Sequence, residues 1–96
     1  MKYTVENETL VVFLEGELNS YNSEDVEKEL EMIVKKSSFK AIVLDLENLN
    51  YISSAGLRII VRLKQQYSDT SVRKPAKSVM DIFRMVGFEN IIKIEK

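Results

Sequence analysis

Cysteine, histidine and tryptophan do not occur in this sequence. Their absence removes disulfides, thiolate nucleophiles, Cys/His zinc centres and imidazole acid–base catalysis from the available chemistry. An excess of one charge is missing too: 14 basic residues against 15 acidic ones leave a net charge of −1. A broad cationic face for nucleic acid or anionic lipid is therefore not expected. The longest apolar run, Leu10 to Leu14, has five residues, far short of the ~20 that cross a bilayer. Met1 to Glu6 is polar and carries no signal-peptide apolar stretch. A cytoplasmic protein without membrane contact, metal or cofactor is the expectation. Proline occurs once and glycine three times, and these are expected to punctuate element boundaries.

What remains is an ordinary folded composition. Hydrophobic residues make up 45% and charged residues 30%, which argues against disorder. Ninety-six residues suit one domain spanning 1–96. Such a chain buries one modest core, roughly 60–70% of its unfolded surface, and has no room for a large substrate cavern.

The periodicities give an element order. "KYTVEN" alternates with period two and reads as an edge strand; Asn7-Glu8 is a tight turn, and "TLVVFLEGEL" returns. The unbroken Leu10–Leu14 predicts a strand covered on both faces. Val26, Leu30, Ile33 and Val34 then form a helical stripe, capped by Asn22 or Ser23, with Glu24 and Asp25 at the favourable end of the dipole. "KAIVLDL" reads as a buried strand with Asp45 near its end, "ENLNYIS" as a connection, and "SAGLRIIVRLKQQYS" as a second helix. "TSVRK" is a short strand. "PAKSVMDIFRMVG" is a third helix with Val79, Ile82, Phe83 and Val86 as its stripe, Met80 and Met85 at the core edge, and Gly87 as its stop. "NIIKIEK" closes as a strand. The order β-β-α-β-α-β-α-β predicts an α/β fold: a single-domain mixed sheet opened by a hairpin, with helices packed on it through right-handed crossovers.

The candidate site is "YISSAGLR". Ser53 and Ser54 fall between a central strand and a helix N-terminus, where partners gather in open α/β sheets and negative charge is favoured. A serine there is a common helix cap, and the same hydroxyl can also accept a phosphate without unfolding the domain. At 100° per residue, Leu57, Ile60 and Val61 mark the core face of the second helix. Ile59 and Leu63 are then expected on the outside, near Arg62 and Gln66. The 53–56 turn and that outer side make a candidate docking face. It comprises Asn19, Ser53, Ser54, Ala55, Gly56, Arg58, Ile59 and Arg62.

Three stretches resemble one family in order along nearly the whole chain: "LVVFLEGELNSYNSEDVEKEL", "AIVLDLENLNYISSAGLRIIVRLKQ" and "VMDIFRMVGFENIIKI". Together they are similar to the STAS domain, shared by bacterial anti-sigma factor antagonists and sulfate-transporter tails. The resemblance implies a switching cycle in which the unphosphorylated antagonist binds an anti-sigma factor that is also an ATP-dependent serine kinase, freeing sigma. Phosphorylation of the turn serine, here Ser54 and less favourably Ser53, releases the pair. The chain departs from many members in carrying Ser53 and Asn19 where they have Asp, and Ala55 where some have a second hydroxyl. The C-terminal helix of many relatives is expected to be missing. Monomer and weak dimer remain open.

Two other readings compete. An enzyme would have to use Asp45, Glu15, Glu17, Lys93 and the serines. Receiver-type chemistry needs an acidic pair after the first strand, and a Ser54–Lys93 hydrolase lacks a general base; no catalytic residue is assigned. A STAS module acting as a non-switching accessory subunit of a transporter or larger signalling complex keeps the fold and drops the switch. Glu27, Lys28, Glu29 and Glu31 read as a solvated helix face.

Overall fold

The computed structural model describes residues 1–96. Strands β1 (Lys2–Glu6) and β2 (Thr9–Leu18) form the opening hairpin. Its turn residues Asn7 and Glu8 both have positive φ, 50° and 65°, the left-handed pair that matches strand twist in a two-residue hairpin. The chain continues through α1 (Ser23–Lys36), β3 (Ala41–Ile52), α2 (Ser54–Gln66), β4 (Thr70–Arg73), α3 (Lys77–Val86), a 3-10 turn (Phe88–Asn90) and β5 (Lys93–Glu95). The sheet order is β1-β2-β3-β4-β5, antiparallel at β1·β2 and parallel elsewhere. This is the predicted mixed sheet.

That monotonic order has a consequence. Right-handed crossovers stepping always in one direction put every helix on the same side of the sheet. Leu10, Val12, Leu14, Ile42, Leu44, Leu46 and Val72 join residues of all three helices in one core of twenty buried apolar side chains. Val11, Phe13, Val43, Asp45, Ser71 and Arg73 alternate with them and form the helix-free face. Helices therefore cover only one face of Leu10–Leu14, but the strand is buried on both faces except at Phe13, which is half-buried. Val11 is buried in register between Thr4 and Val43, and Phe13 lies under the Arg73 guanidinium, 5.9 Å from the ring centroid. Asp45 is not at a strand end. It sits mid-strand on the helix-free face, where it accepts from Arg73 Nε at 2.8 Å and from the Glu47 N–H at 3.1 Å.

The segment expected as a connection, "ENLNYI", is the second half of β3. Two register shifts against β2, between Phe13 and Glu15 and between Gly16 and Glu17, add residues to the β3 side. They space its buried residues as Leu46, Leu49 and Ile52, a period of three that matches neither ideal element. Beyond the Asp45–Arg73 pairing β4 stops, so β2 and β3 continue alone as a two-stranded ribbon. Glycine is not confined to boundaries: Gly16 lies inside β2 with φ 76°, and Gly56 lies inside α2.

Elsewhere the stripes hold with shorter ends. Leu30, Ile33 and Val34 of α1 are buried and Val26 is partly so. In α3, Val79 and Phe83 are buried and Ile82 is partly so, but Val86 and Met85 are exposed. The helix unwinds there: Gly87 adopts φ 68° as its left-handed cap, and Phe88 folds back to stack on Phe83 at 4.7 Å. The closing strand is correspondingly three residues long, not the full "NIIKIEK".

Candidate functional site

The ribbon carries the Ser53–Ser54 turn at its tip. Leu18 pairs with Ile52, and the Ser53 N–H donates to the Leu18 carbonyl at 2.8 Å. Helix α2 then begins at once, and its first turn must pass close over both strands. A Cβ on Gly56 would lie 2.7 Å from Leu18 Cγ and 2.8 Å from Ile52 Cγ1. Gly56 is buried, so its place among the candidates is one of packing and not of contact: it lets the helix start tight against the ribbon.

The two serines are thereby separated in role. Ser53 is the N-cap in extended conformation, and its Oγ accepts from the Gly56 N–H at 3.2 Å. It is half-buried. Ser54 is the first helical residue and is exposed. The N–H groups of Ser54 and Ala55 lie in the first turn of α2, where the helix offers them no carbonyl acceptor, and α2 has no acidic residue in its first turn. The positive end of the helix dipole is thus uncompensated at the Ser54 side chain. Arg58 is exposed one helical turn later, on the same face. Ala55 is half-buried.

Asn19 shapes the neighbouring loop. Its Oδ1 accepts from the N–H groups of Tyr21 and Asn22 at 2.9 and 3.0 Å. Asn22 returns the contact, accepting from the Asn19 N–H at 2.9 Å and donating to the Glu17 carbonyl at 2.8 Å. Asn22 occupies the cap position of α1, but its side chain makes no cap hydrogen bond there. This mutual clasp shapes the 20–21 turn after β2, where the Tyr21 side chain is 96% exposed. Nothing in the sequence pattern marked Tyr21. An aromatic with no apolar neighbour in sequence reads as loop filler, and only the pairing of Leu18 with Ile52 brings its loop to the same end of the ribbon as Ser53.

The expected outer face of α2 is corrected. Ile59 is 3% exposed and Leu63 is also buried, and the buried stripe is Gly56, Ile59, Ile60 and Leu63. Leu57 and Val61 are only half-buried at its flank. The reason is that α2 packs against the sheet and α1 together, which a single-face projection does not anticipate. On the α1 side Arg62 makes a bidentate ion pair with Glu27, Nε and Nη2 each at 2.8 Å. That hydrogen bonding to Glu27, chiefly, holds the guanidinium pKa above its already high usual value. Arg62 therefore ties two helices. Glu29, also expected as free surface, accepts the N-terminal amine at 2.8 Å. Of the candidates, Ser54, Arg58 and Arg62 are exposed, Arg62 being engaged by Glu27, and Asn19, Ser53 and Ala55 are half-buried; the structure adds Tyr21.

The sequence pattern of the STAS domain family matches residues 1–96. The chain belongs to the STAS domain family. It is 36% identical over 89 residues to BtrV of Bordetella bronchiseptica, a candidate anti-sigma factor antagonist, covering 88% of this chain and 76% of that one. Its fold matches the crystal structure of a candidate anti-sigma factor antagonist from Thermotoga maritima with a TM-score of 0.86 at 21% identity, over 99% of this chain and 85% of that one. It also matches the anti-sigma factor antagonist SpoIIAA in its unphosphorylated form, with a TM-score of 0.76 at 19% identity over 99% and 87% of the two chains. SpoIIAA of Bacillus is known in a phosphorylated form as well. Proteins of this antagonist family bind and regulate; they are not enzymes. No helix of this STAS chain is long and apolar enough to cross a membrane.

Proposed function

We propose that this STAS chain is an anti-sigma factor antagonist whose whole length, residues 1–96, works as one partner-switching unit in the cytoplasm. Unphosphorylated, it binds an ATP-using anti-sigma factor kinase and frees the sigma factor. Transfer of the γ-phosphoryl group from ATP to the Ser54 hydroxyl, with loss of its proton and release of ADP, ends the complex.

One observation carries the reading: Ser54 stands exposed at the tip of the ribbon while its neighbour's hydroxyl is consumed in the helix cap. This separation favours Ser54 over Ser53 as the acceptor. The docking surface is the tip itself, with Ser54, Ala55, Arg58 and the projecting Tyr21, over the scaffold of Asn19 and Ser53. An exposed aromatic and an exposed arginine are the residue types from which interface anchors are drawn. Ile59 and Arg62 lie outside this surface.

The mechanism is electrostatic. A phosphate brings about −1.5 to −2 charges at neutral pH. The open N–H groups of Ser54 and Ala55 and the guanidinium of Arg58 accommodate it within the folded chain. Arg58 is then withdrawn from the partner, and a desolvated contact acquires uncompensated negative charge. A loss of only ~2.7 kcal/mol of binding lowers affinity a hundredfold.

The test combines the chain with its anti-sigma factor and ATP, read by intact mass and peptide mapping. Wild type and Ser53→Ala gain one phosphate and Ser54→Ala gains none, while Ser54→Glu binds the anti-sigma factor at least tenfold more weakly. Equal labelling of Ser54→Ala, or capture of transport components with no ATP-binding partner, overturns the proposal.

A further inference from the structure

The two edges of the sheet are unlike each other. β5 is only three residues long. β1 has five residues, all exposed, with no proline, no bulge against β2 and no element outside it. Open edges of this kind are normally blunted, because their free N–H and C=O groups recruit other strands. The only blunting devices here are two charges, Lys2 and Glu6.

We infer that β1 is the pairing edge for a second copy of this chain, joined antiparallel about a two-fold axis at Thr4. The hydrogen-bond phase comes first. In a two-residue hairpin the pair flanking the turn, Glu6 and Thr9, exchanges both backbone bonds. Alternation then turns the N–H and C=O groups of Lys2, Thr4 and Glu6 towards β2 and those of Tyr3 and Val5 outwards. Centring two copies on Thr4 sets Tyr3 opposite Val5 of the second copy, so the outward groups meet each other. The same register sets Lys2 opposite Glu6 twice, as the closer, non-hydrogen-bonded pairs. The blunting charges thus become complementary in this register. Sliding by two residues either way keeps the hydrogen-bond phase but opposes Lys2 to Thr4 or Thr4 to Glu6, and loses both ion pairs.

The side chains above the edge agree. Tyr3 and Val5 share the helix side of the sheet with Val12 and Leu10, yet remain 37% and 47% exposed. On α1, Glu29 holds the N-terminal amine and Lys36 Nζ lies 5.3 Å from the Tyr3 ring centroid. Met32 falls between these two on the same side of the helix and is 65% exposed. Tyr3, Val5 and Met32 therefore make an apolar strip along β1 that a two-fold partner covers with its own. The tip carrying Ser54 lies at the far ends of β2 and β3, so this interface is separate from the proposed switch and does not depend on it.

The test is reciprocal charge exchange. Sedimentation equilibrium from ~10 μM to ~1 mM brackets the weak association expected of one short strand pair. Lys2→Glu alone and Glu6→Lys alone place like charges opposite each other twice per dimer and weaken association at least tenfold. Mixing the two variants recreates both complementary pairs and restores a heterodimer. Circular dichroism confirms that each variant remains folded, since both positions are exposed. Amide exchange gives a second reading: the Tyr3 and Val5 amides gain protection with concentration, whereas the Thr4 amide, bonded to β2, is protected throughout. Wild type monomeric at ~1 mM, dimerisation indifferent to either single charge change, or a mixture that stays monomeric overturns the inference. Protection of Tyr3 and Val5 only on addition of a different protein assigns the edge to that protein's strand and overturns it equally.

Discussion

Gly56→Ala separates two opposed forces at the base of the proposed switch. Helix propensity alone makes the change stabilising, by up to ~1 kcal/mol, because alanine is the best helix former and glycine among the worst. Packing opposes it. The new methyl would lie 2.7 and 3.0 Å from Leu18 Cγ and Cδ2 and 2.8 Å from Ile52 Cγ1, well inside the ~3.5–4.0 Å optimum for carbon pairs. Leu18 and Ile52 are themselves almost fully buried and paired across the ribbon, so neither can swing aside. Overpacking of a filled core costs about 1–3 kcal/mol, and three simultaneous contacts put this site in the upper part of that range. The net expectation is a loss of ~1–2 kcal/mol. In a domain of this size that lowers Tm by about 4–16 °C. Thermal unfolding followed by circular dichroism, with urea titration to confirm an unchanged m-value, measures it. A Gly56→Ala variant as stable as wild type, or more so, would show that α2 does not start tight on the ribbon. The geometry that presents Ser54 would then be wrong.

Further expectations concern the neighbouring positions. Ile59→Ala removes a buried side chain and should cost ~2–4 kcal/mol, whereas an outward-facing isoleucine would lose within ~0.5; urea unfolding distinguishes the two. Ser53→Ala deletes the α2 cap and should lower stability by ~1 kcal/mol, seen as a Tm shift with Ser54 labelling preserved. Tyr21→Ala should leave Tm unchanged and weaken anti-sigma factor binding at least tenfold by calorimetry, as loss of a docking anchor does; unchanged affinity would remove Tyr21 from the surface.

Local physics makes much of this protein legible in its sequence. The hairpin turn at Asn7-Glu8, the α1 stripe, the glycine stop at Gly87 and the alternation of strands with helices each rest on neighbours in sequence, which dihedral preference and period report directly. The serine turn was legible for the same reason, since a cap is a local event. The second half of β3 was not. Its two irregularities arise from register against β2, and they convert a period of two into the three-residue spacing of Leu46, Leu49 and Ile52, which reads as a loop.

Tertiary packing decided the rest. Whether Ile59 faces solvent depends on α1 standing beside α2, and no residue of α2 encodes α1's position. Whether helices cover one face of Leu10–Leu14 or both depends on the strand order, since right-handed crossovers stepping one way load a single face. The difference between Ser53 and Ser54 belongs here too. Two identical side chains, adjacent in sequence, diverge because the backbone turns between them at the end of a ribbon, which sends one hydroxyl to Gly56 and leaves the other to solvent. Sequence determined the elements because hydrogen bonds and side-chain period act over a few residues. Exposure, and with it the surface available to a partner, was decided by contacts between residues far apart in the chain.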